Sequence, residues 1–136
     1  MKIVIDTNKI MASLIRDGLS RALIFSDNFQ FFTPEQALVE IEKHEKELCL
    51  KANLTVYNFK LLLSFLFERI NIVPKGEYEK FLEESLKLLS DKDDAPFLAL
   101  AFALSADGIW TDDGGFMEQN KVSIFTTKYM LDDVNK

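Results

Sequence analysis

Residues 2–8, Lys-Ile-Val-Ile-Asp-Thr-Asn, constrain the fold more than any other stretch of the chain. Three consecutive β-branched apolar residues, Ile3, Val4 and Ile5, suit a strand covered on both faces, the environment of an inner strand in a parallel sheet. The run stops at Asp6, and Thr7 and Asn8 behind it can open a helix. A carboxylate at the carboxyl end of a buried strand lies where open α/β sheets place their ligands. Taken alone, Asp6 is equally well a strand-ending residue that caps the next helix.

Downstream, strand and helix patterns alternate. Residues 8–17 read as a helix closed by Gly18, followed by a short helix with Ser20 as its N-cap. Residues 29–32 form a short aromatic strand. Thr33, Pro34 and Gln36 predict a capping box that opens a helix with Ala37, Leu38, Ile41 and Leu48 as its apolar stripe. Glu40 and Glu42 lie on the two flanks of that stripe, and periodicity does not choose between them. Thr55 opens a helix to about Arg69. Its broad apolar face is Val56, Phe59, Leu62, Leu63, Leu66 and Phe67, and Tyr57, Leu61 and Phe65 make a second, nearly opposite one. Ile70–Val73 is a strand stopped by Pro74. Residues 77–89 read as an amphipathic helix with Phe81, Leu82, Leu86 and Leu89 inward. Residues 97–104 are apolar on nearly every side, which predicts a buried helix, and the two last strands fall at 108–111 and 122–125. The alternation predicts an α/β fold, a three-layer α/β/α sandwich with a mainly parallel sheet of about five strands, in one domain spanning residues 1–136.

Composition removes several classes of function. A single cysteine, Cys49, excludes an internal disulfide and a cysteine-rich zinc site, and a single histidine, His44, excludes a multi-histidine metal site. His44 and Cys49 fall five residues apart on one helix, poorly placed to act as a nucleophile and its base. No apolar run approaches a membrane span and residues 1–15 lack a signal-peptide pattern, so the expected location is the cytoplasm. The net charge of −6 resides wholly in residues 73–136, with 7 basic against 13 acidic side chains. That balance is unusual for a nucleic-acid-binding protein unless divalent metal neutralises part of it.

Four places put a carboxylate where a parallel sheet would bring them together. Asp6 ends the first strand, and Asp113 or Asp112 follows the fourth. Asp94 opens the buried helix, and Glu40 or Glu42 projects from the helix after the second strand. Carboxylates converging without Cys or His are ligands for a hard divalent cation, Mg²⁺ or Mn²⁺. Such a cation can activate water and stabilise a phosphodiester oxyanion. A haloacid-dehalogenase-type phosphatase also begins with an apolar strand ending in Asp, but needs a second Asp where this chain has Asn8.

The motifs K-I-V-I-D-T-N, T-P-E-Q-A-L-V-E-I-E-K-H (33–44), D-K-D-D-A-P-F-L-A-L-A (91–101) and I-W-T-D-D-G-G-F (109–116), in this order and spacing, resemble the PIN-domain nucleases, from residue 2 to about Phe125. The resemblance implies Asp6, Glu40, Asp94 and Asp113 as the metal-binding and catalytic acids, and so takes Glu40 over Glu42. It implies a Mg²⁺- or Mn²⁺-dependent endoribonuclease acting on single-stranded or structured RNA, often a homodimer. Many small members are VapC-like toxins held in check by an antitoxin. Asn8, Thr111 and Asp112 are expected around the acids, where they could orient carboxylates or water. Lys9, Arg16, Lys43, His44 and Lys46 are expected as phosphate contacts. One departure is Gly115, where the family commonly has a further Asp. It leaves open a module of this fold that binds RNA or a protein without cutting.

Overall fold

The computed structural model describes residues 1–135. In chain order the elements are β1 (Lys2–Ile5), α1 (Thr7–Ile15), α2 (Leu19–Ile24), β2 (Gln30–Pro34), α3 (Glu35–Lys43), α4 (Glu45–Ala52) and α5 (Val56–Arg69). There follow β3 (Ile70–Val73), α6 (Leu82–Leu88), α7 (Ala95–Leu104), β4 (Gly108–Trp110), β5 (Ile124–Phe125) and α8 (Thr127–Val134). The five strands form one parallel sheet in the order β3-β2-β1-β4-β5, flanked by helices, which is the α/β/α architecture expected.

The first apolar run takes the central strand. Ile3, Val4 and Ile5 are fully buried, with Ile3 opposite both Phe31 and Gly108, and Ile5 opposite Trp110. From β1 the chain builds outward through β2 and β3, then crosses to the other side for β4 and β5. The strand order therefore reverses between β1 and β4, the place where open α/β sheets form their ligand crevice. α7 packs across β1, β2 and β4, and its apolar surface is buried almost all round, as predicted. Gly108 is required by a close approach, since a Cβ there would lie 2.5 Å from the Phe125 ring.

Several local expectations give way to tertiary context. Thr33 does not cap α3. β2 continues through Pro34, paired with Val73, and the Thr33 hydroxyl donates to the Ile5 carbonyl at 3.0 Å, while Pro34 takes the cap position. The predicted long helix breaks at His44, whose φ of −102° and ψ of 13° separate α3 from α4, and α4 packs against α1. Gly18, not Ser20, precedes α2. Before α6 the chain makes two 3₁₀ turns rather than one long helix. The inward position then falls on Ser85, fully buried, and leaves Leu86 46% exposed, because a small residue lets α6 lie close on α7. Val56, expected on the inward face of α5, is half exposed at the helix's first turn. α8 was not anticipated; Thr126 caps it by accepting from the Tyr129 amide. Among the described residues no helix is long and apolar enough to cross a membrane.

Candidate active site

β1 and β4 lie side by side, so the residues just past their ends become neighbours. Asp6 follows Ile5, and Thr111 follows Trp110, to which Ile5 is registered. The Thr111 hydroxyl donates to Asp6 Oδ2 at 2.7 Å and accepts from the Asp113 amide at 2.9 Å. One buried hydroxyl thus holds two acids that belong to different strands. Replacing Thr111 with Val, of similar size, leaves Asp6 Oδ2 and the Asp113 amide without this partner. Urea unfolding is expected to show a loss of about 1–2 kcal/mol; unchanged stability would mean that water replaces the hydroxyl.

Asp113 begins a short 3₁₀ turn, and its Oδ1 accepts from the Gly115 amide at 2.9 Å, which leaves Oδ2 for the cleft. A Cβ on Gly115 would stand 3.1 Å from Asp94 Oδ2 and 3.3 Å from Asp113 Oδ1. The position where the sequence lacks an acid therefore points directly at two acids that are present.

Asp94 is the last residue before α7, only 9% exposed, and its carboxylate caps no backbone amide. Burial pushes its pKa up to about 7, with Asp113, Asp91, Asp6 and Asp93 adding repulsion. Burial also raises Asp6; the Thr111 hydrogen bond pulls the other way, and the charge of Asp113 raises it again. Glu40 is half-buried on α3 and accepts from Gln36 Nε2, one turn earlier, at 3.0 Å. Glu42 is exposed and faces a separate groove with Lys75, Tyr78 and Pro96.

An open cleft of about 620 Å³ gathers Asp6, Glu40, Asp94 and Asp113, with Asn8, Gln36, Lys43 and His44 also on its wall. Asp91 and Asp93 line it too; sequence reasoning gave Asp91 no role, although it belongs to the same acidic run as Asp94. Of the expected phosphate contacts, Lys43 and His44 line the cleft. Arg16 lies in another groove with Gly18 and Thr127, and Lys46, exposed on α4, is not on the cleft wall. Lys9 is buried and its ammonium pairs with Asp112, and the two line a smaller hollow that shares Asp6, Asn8 and Asp113 with the cleft.

The donor chemistry fits a hard divalent cation, since Asp6, Asp94 and Asp113 are all oxygen donors and the charge of Asp113 is close enough to raise the proton affinity of both Asp6 and Asp94. Among the described residues no three acidic, His or Cys side chains are already drawn together as a finished cage.

The PIN domain family model matches residues 4–132. The crystal structure of VapBC2 from Rickettsia felis bound to a DNA fragment from their promoter is similar in fold, with a TM-score of 0.61 over 93% of this chain and 98% of that one, at 16% identity. No curated protein matches the sequence.

Proposed function

Because this chain belongs to the PIN-domain family, we propose that it is a divalent-metal-dependent endoribonuclease, cytoplasmic, acting on single-stranded or structured RNA as the toxin of a toxin–antitoxin pair. The observation that carries the reading is the meeting of Asp6, Glu40, Asp94 and Asp113 in one cleft at the reversal of strand order. Asp6, Asp94 and Asp113 would hold Mg²⁺ or Mn²⁺, with Glu40 across the cleft. When bound, the ion lowers the pKa of water and stabilises charge on a phosphodiester oxygen. Thr111 fixes the directions of Asp6 and Asp113, and Gln36 fixes Glu40. Lys43 and His44 bring positive charge and donors to an otherwise acidic wall, where a phosphate of the RNA would lie. An antitoxin as partner is supported by the likeness of fold to the VapBC2 complex.

A second reading, a module that binds RNA without cutting it, is favoured by Gly115 and by the engagement of Asp113 Oδ1 with the Gly115 amide. End-labelled single-stranded RNA incubated with purified protein separates the two. Cleavage is expected with Mn²⁺, none with EDTA, and a fall on the order of a thousandfold in Asp6→Asn. Equal cleavage by wild type and variant would trace the activity to a contaminant. Retention of RNA without cleavage would favour the binding module.

A further inference from the structure

Lys9 is an odd residue for its position. It is the third residue of α1, only 8% exposed, in a turn whose amide groups already carry partial positive charge. Burying a cation there is unfavourable unless a specific partner compensates it. The compensation comes from across the fold. Lys9 Nζ pairs with Asp112 Oδ2 and donates to Thr127 Oγ1 at 3.2 Å, and it lies 5.8 Å from the centre of the Trp110 ring. Thr127 Oγ1 also accepts from Trp110 Nε1 at 3.1 Å, so the start of α8 closes the arrangement.

Asp112 directly precedes Asp113, whose φ of −76° and ψ of 116° are extended. Fixing Asp112 toward α1 and α8 anchors the backbone from which Asp113 reaches the wall it shares with Asp94 and Asp6. We propose that Lys9 is a positioning residue: through its ion pair with Asp112 it sets the direction of Asp113, and so the metal affinity of the site. This rests on the metal reading above. It also assigns Asp112 to the support of Asp113.

The test is calorimetric titration of Mn²⁺ into the metal-free chain for wild type, Lys9→Met, Asp112→Ala and the double variant, with melting temperatures alongside. Each single substitution is expected to weaken Mn²⁺ binding about tenfold. The double variant should bind no worse than the weaker single, because the pair acts as one unit. Asp112 has a side chain 69% exposed, so Asp112→Ala is expected to fold even where Lys9→Met does not. Unchanged affinity in Asp112→Ala overturns the proposal, and so do losses that multiply in the double variant. Metal-free binding of single-stranded RNA should be the same in wild type and Lys9→Met; a loss confined to Lys9→Met would make Lys9 a phosphate contact instead. Failure of the wild type to bind Mn²⁺ at all would overturn the metal reading itself, a result distinct from binding that ignores Lys9.

Discussion

Asp94→Asn is expected to abolish Mn²⁺-dependent cleavage while raising the melting temperature of the metal-free protein. The two effects have one cause. Burial and the charges of Asp113, Asp91, Asp6 and Asp93 hold the Asp94 carboxyl near pH 7 in the folded chain, against 3.8 for an ordinary aspartate. The folded state therefore binds this proton more tightly than the unfolded state. Its contribution to stability is complete below about pH 4 and is lost as pH rises through about 7. At neutral pH and above, the ionised group opposes folding by roughly 1–2 kcal/mol once solvent in the open cleft screens the repulsion. Asparagine removes that charge at nearly the same size. It sacrifices no capping bond, since Asp94 makes none, and forgoes only a modest interaction with the helix dipole. A rise of about 3–6 °C is expected at pH 8, shrinking to nothing near pH 4. Mn²⁺ should raise the wild-type melting temperature by mass action and the variant's much less. A lower melting temperature for the metal-free variant at pH 8 would show Asp94 to be a structural partner, and the metal assignment of that residue would fall.

The second large effect concerns association. α5 turns Phe59 and Leu66 into the core, yet leaves Tyr57 76%, Leu61 45% and Phe65 48% exposed on its other side. Residues at this spacing lie one above another on a helix, so the three form a continuous apolar strip. A symmetric pairing of two copies through this strip would remove it from water. We expect a homodimer in solution, converted to a folded monomer by Leu61→Lys with Phe65→Glu, as read by sedimentation. The core residues of α5 are untouched, so the circular dichroism spectrum should be unchanged. A wild type that is monomeric at high micromolar concentration would defeat this expectation.

What could be read from the sequence was set by how local its cause is. Ile3–Val4–Ile5 announces a doubly covered strand by residue type alone, and Thr55 caps α5 as expected because a cap needs only its own first turn. Ile70–Val73 was bounded correctly because Pro74 ends it. Thr33 was misread because the carbonyl that claims its hydroxyl belongs to Ile5, 28 residues away. Leu86, expected inward, yields that place to Ser85 because the surface facing it is α7, which no periodicity within residues 77–89 can reveal. The site follows the same division. A strand end points to Asp6 and a helix start to Asp94, whereas periodicity leaves Glu40 and Glu42 level; the resemblance takes Glu40, and the fold sets Glu40 on the cleft and Glu42 on a separate groove. Lys9 could not be told from a surface lysine, because its partners, Asp112 and Thr127, lie more than a hundred residues along the chain.

The hydrogen bond between Thr111 and Asp6 spans 105 residues of sequence. A ribosome adding roughly 5–20 residues per second needs about 5–20 s to travel from one to the other. Throughout that interval Asp6 exists without the hydroxyl that orients it and without Asp113 beside it. In this topology the cluster of Asp6, Asp94 and Asp113 is therefore complete only after the segment behind β4 has been translated, so the site is among the last parts of the fold to form.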